Sequence, residues 1–267
     1  MILTYPGPMV YSVFYLPLTS HRSLLADKHH FDDSKVLKPE VRSSLMETLC
    51  TSTSDLYHEC GWATQALSAR DIGSNMLQAN GTYNLNAQAM DATISLIQGV
   101  LDKGINVKEI YIDALGNTSV YQKKLERIFP TAKIKVEKKA DSLYPCVSAA
   151  SVCAKVTRDA ALEVCYQTYA QSGTTEGWGS GYPSDSKTAT WLKRNMDPLF
   201  GWGAECRFSW GTVKEMLDAK NNPLKVDWPM EDDDTMRMTD FFSSGGPEHG
   251  QDELALWYGC RATQEAI

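Results

Sequence analysis

The stretch KKADSLYPCVSAASVCAKVTRD, residues 138–159, followed after a spacer by GSGYPSDSKT, residues 179–188, decides how this chain is read. Its first half predicts a long helix from about Pro145 to Ala170, unusually rich in small residues, which lets it pack closely on a neighbouring element. Just upstream, KIKVE (133–137) reads as a strand, SVYQKKLERIF (119–129) as a helix, and VKEIYIDALG (107–116) as a further strand. The segment NLNAQAMDATISLIQGVLDKG (84–104) predicts a helix with Ala89, Ile94, Ile97 and Leu101 in register and Gly104 past its end. GWATQALSA (61–69) and the Val-, Tyr- and Phe-rich MVYSVFYL (9–16) read as strands. Between them Pro39 opens a helix to about Leu49, with Val41, Leu45 and Leu49 on one face. Strands alternating with helices predict an α/β domain around a mixed sheet.

The chain has 267 residues, 43% hydrophobic and 22% charged, enough to bury a sizeable core in one domain plus a tail. The formal charge is −7, but the residues after Lys225 hold ten acids against two arginines, a net −8, so residues 1–225 carry +1. A polyanionic partner therefore remains compatible with the body, since a clustered basic face on a near-neutral domain still holds phosphates. The boundary is placed between 1–221, the globular domain, and 222–267, an acidic, partly disordered extension suited to docking a partner, with DELALWYGC as a candidate helix. Seven cysteines lack any C-x-x-C pair, so neither a zinc knuckle nor a disulfide framework is indicated, and they read as reduced intracellular thiols. The apolar start lacks a basic n-region and is interrupted by Pro6, Pro8 and Pro17, which suits a bounded strand rather than a signal peptide. No apolar run reaches transmembrane length, and the glycosylation matches at Asn80 and Asn117 read as chance.

Asp113 closes the strand EIYID, and Asp141 follows the next strand by a few residues. Carboxylates at the ends of neighbouring strands converge on one sheet edge, where divalent metals are held; the same residues also serve as turn formers or helix caps. Leu101 to Ala160 carries eleven Lys/Arg against seven Asp/Glu, and Lys138, Lys139, Lys155 and Arg158 flank Asp141 in sequence. Cations beside carboxylates suit a site that grips a metal and a phosphate backbone, or a solvated helix face.

The opening stretch, with GPMVY (7–11), DSK (33–35), YNLN (83–86), YIDALG (111–116), KADSLYP (139–145), GSGYPSD (179–185) and RFSW (207–210), resembles in family order the type 2 ribonuclease H (ribonuclease HII) family, and more narrowly its eukaryotic catalytic subunits. The resemblance implies a ribonuclease H-like mixed sheet flanked by helices, with a helical C-terminal extension. It implies a nuclear endoribonuclease of replication and ribonucleotide excision repair, acting on RNA–DNA hybrids and on single ribonucleotides in duplex DNA. By a two-metal mechanism with Mg²⁺ or Mn²⁺, Asp113 and Asp141 would be its metal-coordinating catalytic carboxylates. Tyr182 with Gly181 would lie against the ribonucleotide and register its 2′-hydroxyl. Lys35, Lys155 and Arg158 would contact phosphate or shape the site. Two further polypeptides, accessory chains of a heterotrimer, are implied as partners.

One departure stands out. Family members begin with a strand ending in D-E-A-G-R-G shortly before the GPMVY match, and MILTYP stands there instead. The expectation is a first strand missing or truncated, half the carboxylate cluster absent and activity impaired, because losing one preorganised electrostatic element costs about 10²–10³ in rate. Its loss would also expose ladder groups on two neighbouring strands, since that strand lies inside the sheet. The alternative is a non-catalytic subunit or truncated isoform that binds hybrid duplex or accessory chains. In the tail, TMRMTDFF (235–242) has the aliphatic-x-x-aromatic-aromatic spacing of sliding-clamp peptides, placing Met238, Phe241 and Phe242 either on a clamp or on an accessory chain.

Overall fold

Parallel strands cannot be joined by a tight turn, so the chain between Glu109 and Glu137 crosses over through a helix. In the computed structural model, strand β3 (Glu109–Asp113) leads into a helix over Thr118–Ile128 and returns as β4 (Lys133–Glu137), paired in parallel with Asp113 opposite Glu137. The structure describes residues 7–31, 37–76, 83–114, 117–170, 177–182, 184–197 and 200–219, with residues 168–170 described in backbone only; all lie in one compact unit, Met1–Pro223. The first strands are β1 (Met9–Tyr15) and β2 (Gly61–Leu67), antiparallel along their full length from Met9 opposite Leu67 to Tyr15 opposite Gly61. The Tyr15 ring lies over Gly61, where a Cβ would displace it.

The helices are α1 (Pro39–Cys50), α2 (Asp55–Glu59), α3 (Ala69–Met76), α4 (Leu85–Asp102), α5 (Thr118–Ile128), α6 (Pro145–Ala170), α7 (Ser186–Arg194) and α8 (Gly211–Asp218). Several begin on side-chain caps: Asn84 accepts from the Asn86 and Ala87 N–H groups, Asn117 from Val120 and Asp185 from Lys187. Gly104 follows α4 at φ +77°, the left-handed conformation that favours glycine.

The strands form two pairs of opposite sense, β1 with β2 and β3 with β4, and among the described residues no strand joins the pairs. Side-chain alternation divides the core into two layers. Phe14 of β1 packs with Leu25, Leu49, Leu56 and the small residues Ala149, Val152 and Cys153 of α6. Ile110 and Ile112 of β3 pack on the other side with Ile97, Leu125, Phe129, Ile134 and Val136 from α4, α5 and β4. A third cluster, built on Trp178, Trp191 and Trp202 with Leu162, Leu192 and Val213, fastens residues 178–213 to the far part of α6.

One helix departs from its expected pattern. In α1, Leu49 is buried and Leu45 packs beside it, but Val41 is 44% exposed, because the first turn of the helix extends past the core. Among the described residues no helix is long and apolar enough to cross a membrane. The six described cysteines are free thiols. Residues 222–267, with the proposed helix and the Met238–Phe241–Phe242 motif, lie outside the described residues, as does Lys35.

Candidate active site

Because β3 and β4 are parallel and adjacent, their C-terminal ends reach the same sheet edge. Asp113 ends β3, and the ladder runs one step further through the Ala114 N–H, which donates to Glu137 O at 3.2 Å. β4 then breaks over two exposed lysines, the second of which, Lys139, takes left-handed φ 56°, ψ 39°. That turn swings the chain back, so that the Ala140 N–H donates to Asp113 Oδ1 at 3.1 Å. Asp141 follows in a short 3₁₀ turn, 5% exposed, and α6 begins at Pro145. The bond to Ala140 therefore ties the carboxylate of Asp113 to the residue next to Asp141, and both aspartates line one cavity.

Aromatic groups rim this edge. Tyr111 stacks on Tyr144 with ring centroids 4.2 Å apart and on His21 at 6.5 Å, while Lys135 Nζ stands 6.0 Å from the Tyr144 ring. The Tyr111 hydroxyl donates to Glu109 at 2.5 Å, which with burial pushes its pKa up to about 12 and keeps it a neutral donor. Burial pushes Tyr11, which lines the same cavity, up to about 12 as well.

The second cluster lies further along α6. Arg158 is 2% exposed; its Nη1 donates to Ser180 O at 2.7 Å, its Nη2 pairs with Asp159 at 2.9 Å, and its guanidinium carbon sits 4.3 Å from the Tyr182 ring centroid. An arginine removed from water this far needs such partners, and here they come from the loop it holds and from its own helix. The loop is locked from its other end by Asp185, whose Oδ2 accepts from both the N–H and the hydroxyl of Ser180 at 2.7 Å. These bonds, with the Lys187 N–H, hold the Asp185 carboxyl down at a pKa of about 2. Thr188, 1% exposed, accepts from the Gly181 N–H at 3.1 Å and donates to Trp178 O at 2.8 Å. Gly179 and Gly181 take φ +74° and +75°, so the turn that presents Tyr182 depends on glycine. Burial raises the Tyr182 pKa, opposed by the Arg158 cation.

The sequence-predicted residues thus fall into two groups. Asp113 and Asp141 line one cavity at the sheet edge; Arg158, Gly181 and Tyr182 gather in the α6 loop cluster; Lys155 is buried on α6 at 8% exposure. Roughly 20 Å of helix axis separates Pro145 from Arg158 at the α-helical rise. Asp185, Thr188 and Ser180 are functional neighbours that the sequence reading misses, although Asp before S-K-T is a helix N-cap signal.

A sequence profile of the ribonuclease HII family matches residues 4–213. The chain belongs to the ribonuclease HII family. It is 58% identical over 266 residues to a ribonuclease H2 subunit from Neurospora crassa, covering 98% of this chain and 82% of that one. The corresponding human ribonuclease H2 polypeptide is 37% identical, covering 91% of this chain and 79% of its own. Among solved structures, the ribonuclease HII bound to PCNA from Archaeoglobus fulgidus superposes with a TM-score of 0.64 at 23% identity, over 82% of this chain and 93% of that one. The ribonuclease H2 of Pyrococcus horikoshii gives 0.62 at 24%, over 80% and 91%. These two confirm the ribonuclease HII fold, and the family makes the chain a type 2 ribonuclease H.

The donor set suits a hard divalent cation: two carboxylates at one cavity edge, one with an oxygen already fixed by Ala140, and the two adjacent lysines exposed rather than folded onto them. Among the described residues no group of three or more His, Cys, Asp or Glu is gathered for a metal. Carboxylates that share a shell with substrate phosphate and water suit Mg²⁺-type coordination.

Proposed function

We propose that this polypeptide is an endoribonuclease that hydrolyses the RNA strand of RNA–DNA hybrids and nicks duplex DNA on the 5′ side of single embedded ribonucleotides, leaving 3′-hydroxyl and 5′-phosphate ends. The observation that supports it is the Ala140–Asp113 bond, which holds the Asp113 carboxylate against the residue preceding Asp141 at the shared end of two parallel strands, where both aspartates line one cavity. Asp113 and Asp141 would hold Mg²⁺ or Mn²⁺, which when bound activates water and stabilises the departing 3′-oxygen in a two-metal hydrolysis. Tyr182, held by Arg158 from one side and by the Gly179–Gly181 turn from the other, lies against the sugar and reports the 2′-hydroxyl. Arg158 acts as a positioning residue for that tyrosine, its charge spent on Ser180 and Asp159. Lys35 and Lys155 are phosphate-contact or site-shaping residues.

A non-catalytic duplex-binding role is the second reading, favoured by the lack, among the described residues, of any group of three or more metal-ligating side chains. The relatives are named as one subunit of ribonuclease H2, which supports assembly with accessory chains, and the archaeal complex with PCNA supports a sliding clamp as a partner, a contact assigned on the sequence motif alone to Met238, Phe241 and Phe242. A nuclear location is assigned on the family resemblance. The test is a duplex carrying one ribonucleotide, incubated with Mg²⁺ or Mn²⁺. Nicking beside the ribonucleotide that Asp113→Asn lowers by at least about 10² supports the proposal. Nicking indifferent to Asp113→Asn, or equal on all-DNA duplex, contradicts it.

A further inference from the structure

The first turn of α1 carries a charged residue that the nuclease reading leaves unused. From Lys38 to Ser44 every residue is exposed except Arg42, whose side chain is 14% exposed. A long cation withdrawn from water in a turn that otherwise extends past the core needs polar partners. Its Nη1 donates to Leu37 O at 2.9 Å, and its Nη2 forms an ion pair at 3.8 Å with Oδ2 of Asp159 on α6. The other oxygen of that carboxylate, Oδ1, lies 2.9 Å from Arg158 Nη2. Asp159 is therefore shared between two guanidinium groups, one on its own helix and one on α1.

We propose that Arg42 is a positioning residue for ribonucleotide recognition: it fixes the Asp159 carboxylate, which fixes the Arg158 guanidinium and through it the Tyr182 ring. The proposal rests on the reading of Tyr182 as the residue that registers the 2′-hydroxyl. The bond from Arg158 Nη1 to Ser180 O holds one arm of the fork, and the pair with Asp159 holds the second; two points set the orientation of a planar group. That plane carries the Tyr182 ring, whose centroid is 4.3 Å from the guanidinium carbon. Asp159 is a poor anchor by itself, because residues one apart on a helix do not face each other and its side chain, 45% exposed, has water as an alternative partner. Arg42 supplies the fixed point, since its own fork is held by Leu37 O. All four groups share one neighbourhood: burial raises the Tyr182 pKa, and around that effect Arg158 lowers it, Asp159 raises it and Arg42 lowers it. What Arg42 contributes is orientation, because an ion pair to a half-exposed carboxylate adds little to stability.

The experiment uses the 267-residue chain labelled with 3-fluorotyrosine, with Tyr182→Phe to identify the Tyr182 fluorine resonance. Arg42→Gln and Asp159→Asn are each expected to shift that resonance, and the double variant to shift it no further, because the two residues act in one line of contacts. The melting temperature of Asp159→Asn stays at the wild-type value, and that nearly isosteric variant carries the test if Arg42→Gln does not fold. In the presence of a chelator, which prevents cleavage, the second readout is the affinity for a duplex with one ribonucleotide divided by that for the all-DNA duplex. Both variants are expected to lower this ratio at least about fivefold, the small end of a typical coupling between sites, while the all-DNA affinity stays within about twofold. An unmoved Tyr182 resonance, or shifts that add in the double variant, overturns the proposal. So does an equal loss of affinity for both duplexes, which would make Arg42 a phosphate contact. A wild-type chain without any ribonucleotide preference refutes the reading of Tyr182 instead; the fluorine comparison then decides by itself whether Arg42 holds that ring, a shifted resonance supporting it and an unmoved one overturning it.

Discussion

Replacing Gly179 with alanine should collapse the loop that presents Tyr182. At φ +74° a Cβ would stand 2.6 Å from Asp185 Oδ2, 2.7 Å from Thr188 Oγ1 and 2.9 Å from the Thr188 backbone nitrogen. The first two atoms move by side-chain rotation, but the third belongs to the first turn of α7 and does not. Left-handed backbone costs an L-residue about 1–2 kcal/mol. Moving the loop off Asp185 and Thr188 also forfeits the two Ser180–Asp185 bonds and the Gly181–Thr188 bond, at about 1 kcal/mol for each hydrogen bond, so the expected loss is about 4–5 kcal/mol. Against a typical stability of about 5–15 kcal/mol that is a large shift in a urea midpoint, with the m-value unchanged. Gly177, two residues away, has open space around its Cβ position and ordinary backbone, so Gly177→Ala serves as the control and should fall within about 0.5 kcal/mol of wild type. Equal midpoints for the two variants would refute the claim that a buried turn, rather than a loose loop, holds Tyr182.

Asp185, held at a pKa of about 2 against an ordinary 3.8, contributes stability above its unfolded value that is lost as pH falls from about 4 towards 2; Asp185→Asn should flatten that part of the acid-unfolding curve and leave it unchanged at pH 7 and above apart from a constant offset. Burial raises the Cys153 and Cys206 thiols to about 12, so at pH 8 a thiol-reactive reagent should label exposed Cys50 first and those two only on unfolding, as read by mass spectrometry. Arg158→Lys keeps the charge but not the planar fork; it should weaken discrimination between ribonucleotide and deoxyribonucleotide duplexes in a binding assay while leaving Mn²⁺ affinity intact, because Arg158 holds the Tyr182 loop through Ser180 rather than the aspartates at the sheet edge.

Much of this architecture is legible along the chain. The strands Met9–Tyr15, Gly61–Leu67, Glu109–Asp113 and Lys133–Glu137 and the long helices follow from β-branched runs, periodicity and glycine or proline punctuation. α3 has no such signature: Ala69–Met76 carries Gly73 in its interior and buries only Ala69 and Ile72, so tertiary contact rather than propensity holds it. α7 and α8 are short, and their apolar residues serve a tryptophan cluster whose members are dispersed along the sequence. The carboxylate pair shows in the sequence as strand-end aspartates, but its convergence depends on Lys139 in left-handed geometry, which no local pattern announces. Arg158 looks like a surface cation in V-T-R-D; its burial follows from Ser180 and Asp159, and the former is remote in sequence.

The central claim is that Asp113 and Asp141 together hold a divalent cation. Titration of the full chain with Mn²⁺, followed by electron paramagnetic resonance of the free ion, tests it without depending on turnover. The account predicts saturable binding that Asp113→Asn and Asp141→Asn each weaken by at least about tenfold. Wild-type affinity in both variants would contradict it.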